Sequence, residues 1–86
     1  MKIAVIGDGG WGTATAMLLS SYGHDVCVWG PFADYVDEIR STRTNPRYLK
    51  GVEIPPEIKW TADKSEAVAG AGIVVLALAS KYYASV

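Results

Sequence analysis

The run Lys2-Ile3-Ala4-Val5-Ile6-Gly7-Asp8-Gly9-Gly10-Trp11-Gly12 decides the fold. Lys2 to Ile6 is a nearly continuous apolar run, the pattern of a parallel strand buried on both faces. Behind it stands G-x-G-x-x-G, and behind that a helix-like segment from Thr13 to Tyr22. Each glycine has a physical task in this arrangement. Gly7 permits a tight turn out of the strand, Gly9 lets a pyrophosphate approach the backbone, and Gly12 lets the helix pack closely on the sheet. The first-turn N–H groups of that helix, including those of Gly10 and Trp11, then face the phosphates, and the helix dipole favours their charge. Glycine-rich turns are common, and the motif counts here because a strand precedes it, a helix follows, and a second strand lies at βαβ distance.

Working outward, the chain alternates strand and helix. In Thr13–Tyr22 the residues Ala14, Met17, Leu18 and Tyr22 have i, i+3, i+4, i+8 spacing, which predicts one face turned toward the sheet. Gly23 is a C′ stop, and His24 reads as a polar turn residue, with no second metal-binding side chain at useful spacing. Val26 to Trp29 is the second strand, ended by Gly30-Pro31-Phe32. Asp34 to Arg40 is a short helix with Tyr35, Val36 and Ile39 inward. Ser41 to Gly51 reads as polar and irregular, with Asn45-Pro46 as a turn. A brief third strand covers Ile58 to Trp60. Asp63 caps a helix Lys64–Ala69, with Glu66 as the reciprocal partner of a capping box. Gly70-Ala71-Gly72 opens the fourth strand, Ile73 to Leu78, expected to be buried, and Ser80 to Val86 begins a further helix.

The expected fold is therefore α/β, a Rossmann-like parallel sheet in part, with strand order 3-2-1-4 and helices on both faces. Ligands in such sheets lie at the carboxyl ends of the strands where the winding reverses, here between Gly7–Gly12 and Ala77–Ser80. Residues 1–86 make one nucleotide-binding half-domain at most. The hydrophobic share of 50% and net charge of −1 fit a globular chain with no basic patch for nucleic acid. The apolar stretches fall short of a membrane span or a signal peptide, and the single Cys27, on a strand, reads as a buried thiol in a reducing compartment. The expected location is the cytoplasm.

Gly7-Asp8-Gly9-Gly10-Trp11-Gly12-Thr13-Ala14 resembles the G-x-G-x-W-G-T-A signature of NAD(P)-dependent glycerol-3-phosphate dehydrogenases. Gly23-His24-Asp25-Val26 with Val28-Trp29 resembles that family's second strand. Asn45-Pro46-Arg47-Tyr48-Leu49-Lys50-Gly51 resembles its N-x-[KR]-Y-L-P-G segment, and Ile54-Pro55 the residues after it. The sequence departs from the family pattern at Lys50, in place of proline, and at Ala79-Ser80, in place of Pro-Ser. The resemblance implies reversible reduction of dihydroxyacetone phosphate to sn-glycerol 3-phosphate with NAD(P)H, for phospholipid synthesis. It implies catalytic lysines beyond Val86 and a helical substrate domain absent from this chain. The 86 residues alone are expected to bind nucleotide weakly and turn nothing over. No metal is implied, and the full-length enzyme is left open as a homodimer.

The resemblance also places Pro31 and Phe32 against the adenine ring, Tyr48 toward the cofactor, and Gly10 and Trp11 at the pyrophosphate; Ser80 ends strand four near the nicotinamide. Plainer readings stand beside these. Trp11 also suits a plug between helix and loop, Phe32 a staple on the short helix, and Ser80 a helix N-cap. Lys64 and Lys81 read as solvated surface charges, and Trp29 and Trp60 as packing. An acid at the end of strand two would accept from a ribose 2′-OH and an arginine there would meet a 2′-phosphate. Gly30-Pro31-Phe32 offers neither. Asp34 belongs to the next helix, and Arg40 or Arg43 is left to fold back, so NAD against NADP stays open with a lean to NAD. A sister dehydrogenase on the same fold and a non-catalytic nucleotide-binding module are the alternatives.

Overall fold

The computed structural model describes residues 1–47 and 49–77. Its elements in chain order are β1 (Lys2–Ile6), α1 (Gly10–Ser21), β2 (Asp25–Trp29), α2 (Ala33–Thr42), β3 (Thr44–Asn45), β4 (Leu49–Glu53), β5 (Lys59–Thr61), α3 (Lys64–Val68) and β6 (Ile73–Leu76). The main sheet runs β5-β2-β1-β6 and every pairing in it is parallel. This is the expected 3-2-1-4 order, with β1 and β2 inside. Ile6 is level with Trp29 and with Leu76, and Trp29 with Thr61, so the four carboxyl ends form one rim. Three ladder bonds continue past that rim: Gly7 N donates to Trp29 O, Gly30 N to Thr61 O, and Ala77 N to Ile6 O, at 2.8–3.0 Å.

Strand alternation divides the core between the two faces. Val5, Val26 and Val28 meet Ala16 of α1 and Tyr35, Val36 and Ile39 of α2, while Ile6, Cys27 and Trp29 meet Ala67 of α3. Helices therefore cover both faces, as the sequence predicts, and Cys27 is the buried strand thiol expected. Each fully buried Val or Ile contributes about 1.5–3 kcal/mol relative to exposure.

Three elements differ from the sequence reading. The face of α1 that enters the core is Gly12, Thr13 and Ala16. Of the predicted stripe only Met17 packs against the core, while Ala14, Leu18 and Tyr22 are exposed. The helix lies too close to the strands for large side chains, so the small residues turn inward. The segment expected to be irregular contains an antiparallel hairpin of β3 with β4, and Asn45-Pro46 does lead into its turn. The fourth strand, expected to be buried, exposes Ile73, Val74 and Leu76, because its only sheet partner among the described residues is β1.

The helix ends follow capping chemistry. His24 N donates to Leu19 O and Gly23 N to Ser20 O, with Gly23 at φ 91, the Schellman arrangement that the glycine predicts. The Asp63 carboxylate accepts from Ser65 N and Glu66 N at the start of α3. The other half of the predicted capping box is replaced, since Asp63 N donates to Thr61 Oγ1 at 3.1 Å. Lys2 Nζ closes the far end of α3 by donating to Ala69 O at 2.7 Å.

Candidate functional site

The carboxyl rim of the sheet leads directly into the glycine loop. Gly7 sits at φ 130, a left-handed conformation that side chains rarely adopt, and this turn aims the chain into α1. A Cβ on Gly12 would collide with the Gly7 carbonyl oxygen and stand 3.2 Å from Ala77 Cβ. Gly12 therefore lets α1 start against the tips of both β1 and β6. A Cβ on Gly9 would meet nothing within 4 Å, so the loop leaves open space there.

Gly9 is the N-cap, without a side-chain hydrogen bond, and the first turn of α1 carries no acid. The first intrahelical bond runs from Thr13 N to Gly9 O at 2.9 Å, which leaves the N–H groups of Gly10, Trp11 and Gly12 ahead of it without helical acceptors. Three donors without helical acceptors, a positive dipole end and an open approach over Gly9 fit the diphosphate of a dinucleotide.

Pro31 and Phe32 follow the tip of β2, with Phe32 and Trp11 more than half exposed. Phe32 is also the N-cap residue of α2, and it contributes a backbone carbonyl to Val36 N. Asp34 lies in the first turn of α2, as expected. Neither arginine left to fold back does so: Arg40 pairs with Asp37 at 3.6 Å, and Arg43 Nη1 donates to the Ile58 carbonyl at 2.7 Å. Lys64 is not simply solvated, because its Nζ lies 5.0 Å from the Trp29 ring centroid, and Trp29 Nε1 donates to Ala62 O. Trp29 and Trp60 are buried packing residues. Tyr48, Ser80 and Lys81 lie outside the described residues.

Beneath the glycine loop is a polar network that sequence reading did not find. Asn45 Nδ2 donates to Asp8 O at 2.6 Å and to Thr13 Oγ1 at 2.8 Å, and Thr13 Oγ1 donates to Asp8 O. The Tyr35 hydroxyl donates to Asn45 Oδ1 and accepts from Arg47 N at 3.1 Å. The Arg47 guanidinium lies 4.6 Å from the Tyr35 ring centroid. Asp8, Thr13, Tyr35 and Asn45 are all buried. Burial raises both the Asp8 carboxyl and the Tyr35 phenol above their ordinary values; Arg47 pulls each the other way. The network fixes the glycine loop to α2 and to the β3–β4 hairpin. Bonded partners in it lie up to 37 residues apart, and only the polar Asn45 in an N-x-[KR]-Y segment hinted at it.

Residues 2–86 match the family model for the N-terminus of NAD-dependent glycerol-3-phosphate dehydrogenase. A glycerol-3-phosphate dehydrogenase [NAD(P)+] of Streptomyces avermitilis is 47% identical over 94% of this chain and 24% of its own length. One of Streptococcus uberis is 42% identical over 93% and 24%. The chain thus spans about a quarter of the length of these relatives. Among solved structures, glycerol-3-phosphate dehydrogenase of Coxiella burnetii superposes with a TM-score of 0.81 at 33% identity, over 87% of this chain and 23% of that one. That of Plasmodium falciparum, at 24% identity, shares the fold with a TM-score of 0.88. With the glycine loop, the strand order and these similarities agreeing, the chain belongs to the NAD(P)-dependent glycerol-3-phosphate dehydrogenase family and matches its N-terminal part.

Proposed function

We propose that this chain is the cofactor-binding part of an enzyme that reversibly reduces dihydroxyacetone phosphate to sn-glycerol 3-phosphate with NAD(P)H. The observation that carries the reading is the uncapped, glycine-walled start of α1 at the junction of the β1 and β6 tips. In this reading Gly7 and Gly12 shape the cradle, Gly9 admits the diphosphate, and the N–H groups of Gly10, Trp11 and Gly12 bind it. Pro31 and Phe32 flank the adenine, and the resemblance assigns Tyr48 to the cofactor and Ser80 to its nicotinamide end. The nicotinamide supplies the hydride. The chain's own residues bind and orient the cofactor, and the alkoxide-stabilising and phosphate-binding cations belong to the rest of the protein.

Domain 1–86 as the N-terminal part of a Rossmann unit, a separate helical substrate domain, a cytoplasmic location, a role in phospholipid synthesis and a homodimer are parts of the same proposal, supported by resemblance. No helix among the described residues is long and apolar enough to cross a membrane. The test uses the natural protein that contains these residues. NADH absorbance should fall on addition of dihydroxyacetone phosphate, and the 86 residues alone should show no turnover. Oxidation of NADH with a different carbonyl substrate but not with this one would replace the reading by that of a sister dehydrogenase.

A further inference from the structure

The tip of β2 is where a dinucleotide fold ordinarily places the acid that distinguishes a ribose hydroxyl from a ribose phosphate, and here that tip is Gly30. The space is not vacant. A Cβ on Gly30 would collide with Asp8 Oδ2, lie 2.8 Å from Val36 Cγ2 and lie 3.0 Å from Asp8 Cγ. The Asp8 carboxyl, from the glycine loop, therefore occupies the position that a β2-tip side chain would start from. Asp8 is 7% exposed, and its Oδ2 has no hydrogen-bond donor among the described residues.

Stability gives no reason for this carboxyl. A buried acceptor left without a donor costs about 1–3 kcal/mol, and the neighbours that could have satisfied it are otherwise engaged. Asn45 Nδ2 bonds the Asp8 main-chain oxygen, not the carboxylate, and Arg47 lies over Tyr35. A smaller residue at position 8 would leave the Gly7 turn and the α1 start intact, since neither uses the Asp8 side chain.

We propose that Asp8, seated against side-chain-free Gly30, is the residue that selects the non-phosphorylated adenosine ribose, making this chain an NAD(H)-preferring member of its family. The inference rests on the dinucleotide reading above. Two effects act in the same direction. The ribose 2′-OH is a hydrogen-bond donor for a carboxylate whose Oδ2 has none among the described residues, and a 2′-phosphate brings like charge into a crevice of low dielectric, where repulsion exceeds that in water. The charge effect needs no direct contact. Arg47 is the cation that acts on Asp8. It favours the ionised carboxylate, and its guanidinium lies 4.6 Å from the Tyr35 ring centroid.

The experiment measures dissociation constants for NADH, NADPH, ADP-ribose and 2′-phospho-ADP-ribose with the natural protein and three variants. Wild type should prefer NADH. Asp8→Ala and Asp8→Asn should each shift the NADH:NADPH affinity ratio toward NADPH by about tenfold or more, and the two adenosine-side fragments should show the same shift. The variant Asp8→Ala/Gly30→Asp/Val36→Ala, which moves the carboxylate to the β2 tip and removes the Val36 Cγ2 that would stand 2.8 Å from the new Cβ, should restore the NADH preference. A ratio unchanged in both single variants while NADH still binds would overturn the role of Asp8 and leave the dinucleotide reading standing. Failure of every nucleotide to bind the folded wild-type protein would instead remove the dinucleotide reading, and this inference with it.

Discussion

A methyl group on Gly12 would strike the main-chain carbonyl of Gly7, whereas one on Gly9 would meet no protein atom within 4 Å. The two glycines thus separate packing from ligand access. Gly12→Ala should destabilise the fold by about 1–3 kcal/mol, the usual cost of overpacking. Gly9 has φ −67, which alanine adopts freely, so Gly9→Ala should leave stability within about 0.5 kcal/mol while weakening NADH binding. Denaturant melts and NADH titrations of both variants check this; equal destabilisation by both would mean that Gly9 serves packing alone. Asp8 adds a pH dependence. Burial lifts its carboxyl above the ordinary 3.8, against smaller opposing contributions from its own main-chain N–H and from Arg47. The native state therefore holds a proton at pH values where the unfolded chain has already released it. This contribution to stability is fully present below pH 3.8 and is lost as pH rises through the raised, folded-state value. Asp8→Asn should flatten that part of the stability–pH curve and raise stability near neutrality. An unchanged slope would show that Asp8 is solvated in the native protein. The glycines were legible because their spacing is local. Asp8 was not, because its meaning depends on Gly30, which the ladder of β1 on β2 brings alongside it.

The β3–β4 hairpin shows what local sequence conceals at the scale of elements. Thr44–Asn45 is a two-residue strand of polar side chains, with no alternation for a pattern to reveal. It forms because Asn45 satisfies three partners at once: the Asp8 carbonyl, the Thr13 hydroxyl and the Tyr35 hydroxyl. Removing it should leave buried polar groups without partners, each costing about 1–3 kcal/mol. Asn45→Ala is expected to lose about 2–4 kcal/mol in denaturant melts. In a double-mutant cycle Asn45→Ala and Tyr35→Phe should couple by about 1 kcal/mol or more. Additive losses would show that the hairpin is held by β4 and the apolar contacts of α2 instead. The α1 face was misread for a related reason. The Ala14, Met17, Leu18 and Tyr22 stripe is a real helical repeat, but burial is set by how near the helix approaches the sheet, which Gly12 fixes. The elements with strong local signals agree with the sequence: the inward face of α2, the Gly23 stop and the Asp63 cap.

At the scale of the molecule, the sheet is protected unevenly. β2 and β1 are paired on both edges, and α1, α2 and α3 bury their side chains. β6 is paired to β1 alone among the described residues, and it exposes Ile73, Val74 and Leu76 by 46%, 47% and 51%. An edge strand with apolar side chains on both faces and no charge along Ile73–Leu76 is a template for further pairing. In the relatives, about three-quarters of the length lies outside the matched part, which is chain enough to cover such an edge. The isolated 86 residues should therefore self-associate. Sedimentation or size exclusion should show species larger than 9.2 kDa that increase with concentration, and melting should broaden as they form. Val74→Lys places a charge on the open edge without touching the glycine loop, and it should shift the population toward monomer. The same substitution in the natural protein should instead destabilise, because there the position would be covered. A monodisperse, cooperatively melting 86-residue monomer would contradict this argument and show that the cofactor half stands on its own. It would also remove the reason for expecting the isolated chain to hold nucleotide only weakly, since the β6 tip that borders Gly12 would then already be in its final place.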